Sequence, residues 1–218
     1  MPAVKERLSR LLMLASERRW TALADTLAGL AFDWPADFPE VLRPTVKALL
    51  LHAVRETDAE TRRRLAARLG GHGDLPLTLL LELYLEAPAP VRREILMRSE
   101  LESGEEYESE AADAAMLLAA ARQDSVRDFA AFMCGAFHLS RHIAEAILVD
   151  ASGEPLAVLC RGAGIDRATF TALALLRGAQ DLPLAAYDTV PDRAAKRITS
   201  YWRSQAVLPY PEHIQAAE

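Results

Sequence analysis

Four stretches of this chain can be laid over one another: DAETRRRLAARL from Asp58, PAPVRREILMRS from Pro88, RQDSVRDFAAFM from Arg122 and SGEPLAVLCRGA from Ser152. Their anchor positions, Thr61, Val91, Val126 and Leu156, are spaced by 30, 35 and 30 residues. The next position is Arg62, Arg92, Arg127 and then Ala157; four past the anchor come Leu65, Ile95, Ala130 and Cys160. Each copy opens after a short turn and follows another amphipathic helical stretch. A helix pair recurring at this period cannot bury its apolar face alone and needs a stacked neighbour. The expectation is an all-α chain of antiparallel helix pairs stacked as a HEAT-like helical-repeat array, an α-α superhelix.

Local chemistry points the same way. Ala, Leu, Arg and Glu, all strong helix formers, dominate. The chain contains no Asn, so the Asn-Gly hairpin signal is absent. Helices are predicted near 3–18, 20–31, 39–57, 58–69, 75–86, 89–99, 109–122, 124–136, 140–150, 154–162, 166–177 and 191–204. Ser140 and Asp166 stand where N-caps are needed. Pro90, Pro155 and Pro191 stand where a first helical turn tolerates a missing N–H. Gly70-Gly71 and Gly162/Gly164 stand where a helix end calls for positive φ. The stretch Ser152–Gly164 holds three glycines, but a phosphate-cradling glycine loop works between a strand and a helix. Here a helix opened by Ser140 precedes it, so it reads as the turn, helix and exit of a fourth pair.

The organisation expected is an N-terminal helical cap over 1–38, the repeat domain over 39–205 and a flexible tail over 206–218. The net charge of −6 disfavours a polyanion as main partner, because nucleic-acid affinity rests on Lys and Arg neutralising phosphates. Cys134 and Cys160 form no zinc framework and sit in apolar runs, the usual place of a reduced, buried thiol in a cytoplasmic protein. Glu6, Arg7 and Arg10 break any signal-peptide core, and no stretch has the ~18 uncharged apolar residues of a membrane span. No metal or cofactor is expected.

Two C-terminal stretches carry a resemblance. GEPLAVLCRGAGIDRATFTALALL at 153–176 and AYDTVPDRAAKRITSYWRS at 186–204 resemble the bacterial family catalogued as domain of unknown function 2336. The matching positions are Gly153, Glu154, Leu156, Ala157, Leu159, Cys160, Arg161 and Gly164, then Tyr187, Asp188, Pro191, Ala195, Trp202 and Arg203. The resemblance implies an all-helical, HEAT-like protein. The family's activity is uncharacterised, so it carries over no catalytic residue.

Several side chains invite a sharper reading. His138 and His142 flank one helix start and raise a histidine phosphorelay, although one helix does not make a phosphotransfer site. Asp113 with Trp20, Trp34 and Trp202 raises base-excision chemistry, which the acidic balance opposes. The run Arg62-Arg63-Arg64, the acidic strip with Glu105, Glu106 and Glu108, and Arg203 are candidate interaction residues. The expected function is a non-catalytic protein-interaction or scaffold module whose partner is another protein. Nucleic-acid binding or processing is the alternative, and the phosphorelay the second. The final helix is expected to lay Ala194, Ala195, Ile198 and Trp202 on one apolar face, Lys196, Arg197 and Arg203 falling away from it, with Trp202 closing the core against the 166–177 helix.

Overall fold

The computed structural model describes residues 2–102, 113–122, 125–176 and 185–207, with side chains for those between 5 and 206. Among these residues all regular structure is helical. The chain divides into two compact units, Met1–Arg98 and Ser99–Glu218.

The first unit holds α1 (Pro2–Ser16), α2 (Trp20–Phe32), α3 (Arg43–Arg55), α4 (Ala59–Leu69), α5 (Leu77–Leu83) and most of α6 (Ala89–Leu101). Single turns of 3-10 helix lie at Glu40–Leu42 and Tyr84–Glu86. Helix α1 packs on α2, α2 on α3 and α4, and both α3 and α4 on α5. Leu23, Leu27, Leu50, Leu65, Leu79 and Leu80 are fully buried between them. The boundaries follow local chemistry. Asp58 accepts the Thr61 N–H at 2.7 Å and starts α4.

The second unit holds α7 (Ala114–Ala121), α8 (Val126–Phe137), α9 (Arg141–Val149), α10 (Glu154–Gly162), α11 (Arg167–Leu176), α12 (Ala185–Thr189) and α13 (Asp192–Val207). Its centre is α10, on which α9, α11, α12 and α13 all pack, while α7 lies on α8 and α11. Pro155 through Cys160 and Gly162 are buried, leaving only Glu154 and Arg161 part-open. A helix buried on every side has no solvent stripe, so its sequence shows an apolar run. Ser140 and Asp166 cap as expected, accepting the N–H groups of Ile143 at 3.4 Å and Thr169 at 2.9 Å.

The overlay of the four segments survives at one position. Leu65, Ile95, Ala130 and Cys160 are all buried at 1 % exposure or less. The anchors differ: Thr61 and Leu156 are buried, Val91 is half-buried and Val126 is exposed. Val126 is the first residue of α8, whereas the others sit two residues inside their helices. Helix α12 was not predicted, Pro191 lies one residue before α13 rather than in its first turn, and the helix predicted over 109–122 begins at Ala114 in the described residues.

Two glycine expectations are corrected. Positive φ occurs at Gly153 (66°) and, as expected, Gly164 (70°), but not at Gly70, Gly71 or Gly162. Gly70 is right-handed helical, and a Cβ there would run into the Val91 side chain of α6. At Gly162 a Cβ would fall 2.6 Å from the Ala195 carbonyl oxygen and closer still to the Thr199 hydroxyl. Both glycines let a second helix pass, rather than letting their own helix end.

Candidate functional site

The C-terminal motif residues meet around α10. The backbone N–H of Ile165 donates to Cys160 O at 2.8 Å as the helix ends. Tyr187 of α12 donates its hydroxyl to Ile165 O at 2.6 Å and lies 5.4 Å from the Phe170 ring. Arg161 stacks its guanidinium 5.3 Å from the Tyr187 ring centroid, donates to Tyr187 O at 2.8 Å and pairs with Asp192. Arg167 holds Asp188 with both ends of its fork, at 2.8 and 2.9 Å. That pairing keeps the Asp188 carboxyl below the usual carboxylate range. Hydrogen bonds from the Thr169 backbone and hydroxyl do the same to Asp166. Burial pushes the Cys160 thiol up to about 12, so at neutral pH it is no nucleophile. Partial burial likewise raises Cys134 and Tyr187. Arg161, Arg167, Tyr187, Asp188 and Asp192 are spent on holding α10, α11, α12 and α13 together.

Arginine recurs in one role: donating to carbonyls left over at helix C-termini, where the dipole favours a cation. Arg62 is buried, donates to Thr57 O at 2.8 Å past the end of α3, and pairs with Glu86 at 2.9 Å. Arg92, its counterpart in the next copy, is buried too. It donates to Tyr84 O at 3.1 Å and Leu85 O at 2.6 Å. Arg197 is buried on α13, contrary to expectation, donating to Ser99 O at 2.6 Å and Glu102 O at 2.7 Å where α6 ends. Arg203 donates to Phe137 O at 3.1 Å at the end of α8.

The sequence-chosen residues therefore fall apart. Arg62 points inward, so the arginine run is not one surface. Arg63 pairs with Glu60 at 2.7 Å on its own helix, and Arg64 with Asp25 of α2 at 2.7 Å. Glu105, Glu106 and Glu108, like nearly all of the 206–218 tail, lie outside the described residues. His138 ends α8 in the left-handed conformation at φ 53°, and Asp113 caps α7, accepting the Ala115 N–H at 2.8 Å. Trp202 is 2 % exposed, and its helix packs chiefly on α10 rather than on the 166–177 helix.

One surface the sequence did not single out stands in the first unit. The connection after α4 forms a shallow cleft of about 350 Å³ with α6, lined by Gly71, His72, Gly73, Arg93, Glu94 and Met97, among others. The loop is held firmly. His72 Nε2 donates to Phe32 O at 2.9 Å, and its ring meets the Phe32 ring edge-on at 4.7 Å. Arg98 donates to His72 O at 3.2 Å and Leu75 O at 2.8 Å, and Lys47 pairs with Asp74 at 3.0 Å. Phe32 is 49 % and Met97 53 % exposed. A faint sequence signal existed: Met97 lies four residues after Arg93 on the polar side of α6, away from the Ile95-Leu96 face.

Among the described residues no cluster of His, Cys, Asp and Glu could hold a metal ion, and no helix is long and apolar enough to cross a membrane. No curated protein and no solved structure matches the chain. The motifs that hold α10 in place do have a counterpart: residues 104–203 match the model of the family described as uncharacterised proteins conserved in bacteria, DUF2336, the family that the 153–204 stretch resembles.

Proposed function

We propose that this chain is a non-catalytic protein-interaction module, working in the cytoplasm where its two cysteines stay reduced. The observation that carries the reading is the apolar strip Phe32–His72–Met97 on the first unit. Phe32 and Met97 are exposed, the half-buried His72 ring meets Phe32 and shares a cleft with Met97, and the loop that carries His72 is fixed by hydrogen bonds; exposed apolar surface on a rigid support is what protein docking uses. The exchange of structural roles among Arg161, Tyr187, Asp188 and Asp192 supports it from the other side, because these groups already serve the fold. Affinity capture from the native cell with the intact chain tests the reading. A protein retained by the parent and lost by Phe32→Ser/Met97→Ser supports it; retention by both chains moves docking away from this strip, and no protein retained by the parent contradicts the reading.

The first unit is also proposed to be a HEAT-like stack. Each helix from α2 to α5 meets its neighbour in sequence or the next but one, and Arg62 and Arg92 do the same work one copy apart. Arg62→Ala and Arg92→Ala are then both expected to lower the melting temperature, Arg62→Ala the more because Glu86 loses its partner, and Arg127→Ala, on an exposed position, to leave it unchanged. A parent-like melt for Arg92→Ala would count against equivalent repeats.

A further inference from the structure

We infer that the cleft between the 70–73 turn and α6 receives an acidic segment of a partner protein, with an apolar side chain on Met97 and a carboxylate on Arg93; this rests on the interaction-module reading. Met97 and the His72 ring both line the cleft, and Phe32 packs edge-on against that ring. Its charge is unbalanced. Arg93 is exposed and makes no ion pair among the described residues. Arg98 spends its guanidinium on the His72 and Leu75 carbonyls, which bind the cation without cancelling its charge. Against these two cations the cleft sets one carboxylate, Glu94. A segment bringing a carboxylate restores the balance, and a basic one worsens it.

The turn also leaves room for a main chain. Positive φ does not account for Gly71 or Gly73, since among the described glycines it occurs at Gly153 and Gly164. Internal packing does not account for them either. A Cβ at Gly73 would meet nothing within 4 Å, and one at Gly71 only the Glu94 carboxylate, at an ordinary 3.7 Å. Both glycines line the cleft and are exposed, so the space that their missing side chains leave open lets a partner backbone approach the Gly71–Gly73 amides.

The test is an NMR titration of the intact chain with three amidated, acetylated peptides: Gly-Asp-Leu-Glu-Gly, its lysine counterpart Gly-Lys-Leu-Lys-Gly, and the leucine-free Gly-Asp-Gly-Glu-Gly. The first is expected to shift the Gly71 and Gly73 amides and the Met97 methyl at peptide concentrations on the order of millimolar. Arg93→Glu is expected to weaken that response at least tenfold and Gly73→Val to abolish it. Both variants keep the parent melting temperature, because both positions are exposed and Gly73 has open space around it. Equal shifts with the lysine peptide, or no shift at Gly71 and Gly73 with the acidic one, overturn the proposal. The two readings fail separately. A cellular partner that Arg93→Glu and Gly73→Val still retain overturns the cleft and spares the interaction module. A successful titration with no protein ever captured sinks the module and not the cleft chemistry.

Discussion

Gly162 and Gly135 are both helical glycines, yet they stand in opposite surroundings. At Gly162 an added methyl collides with the Ala195 carbonyl at 2.6 Å, a backbone atom that cannot swing aside. Gly162→Ala is expected to cost ~1–3 kcal/mol through overpacking of α10 on α13. At Gly135, exposed on α8, nothing lies within 4 Å. Gly135→Ala is expected to stabilise by roughly 0.5–1 kcal/mol, because alanine has less backbone freedom to lose. Urea melts of the two variants check the pair, and the same sign of change in both contradicts the close approach. Arg62 and Arg63 form a second contrast. Arg62 and Glu86 have side chains only 8 and 11 % exposed, so Arg62→Ala strands a buried carboxylate and is expected to cost ~3–5 kcal/mol. The exposed Arg63–Glu60 pair is worth at most ~1 kcal/mol, and Arg63→Ala should leave the urea midpoint nearly unchanged.

At the scale of the element, the helix starts were legible because capping is local. Ser140, Asp166 and Asp58 each sit three residues before the N–H they bond. What the helices pack against was not legible in the same way. Helix periodicity says that a face is apolar but not which neighbour covers it. Trp202 is buried as its stripe indicates, yet its helix lies chiefly on α10. Arg197 looked like a surface residue because the carbonyls it serves, those of Ser99 and Glu102, are nearly a hundred positions away in the chain. The cap carboxylates of Asp58 and Asp166 have a measurable consequence. Hydrogen bonds from the Thr61 and Thr169 backbone hold their folded-state values below the ordinary range. Their stabilisation is complete above the unfolded value near ~4 and is lost as pH falls through the lowered folded values. Melting temperature followed from pH 6 downward should therefore fall more shallowly below about pH 4 in Asp58→Asn/Asp166→Asn, whose amides still cap but do not titrate. Parallel acid limbs in parent and variant would remove these two groups from the acid response.

For the whole molecule, the all-helical class and the buried repeat position were readable from composition and period, whereas the cleft was not. Its lining, the Gly70–Gly73 turn and Arg93 to Arg98 of α6, comes from two separate stretches that only the fold brings together, with Phe32 of a third against the His72 ring. The net charge of −6 and the inward turn of Arg62 both predict that the intact chain passes through heparin at low salt without retention. Retention that declines steeply with salt would favour a nucleic-acid partner. The central claim is that the C-terminal motif residues are there to hold the second unit around α10, which leaves recognition to the surface. Trp202 tests it most directly, since a Trp beside an Arg is also a common exposed hot spot. With Trp202 at 2 % exposure, Trp202→Ala should cost ~3–5 kcal/mol as a cavity in a core. A thermal melt should fall by roughly 10 °C or more. A variant that melts with the parent and loses only its partner would contradict the claim and make this end of the chain a binding surface.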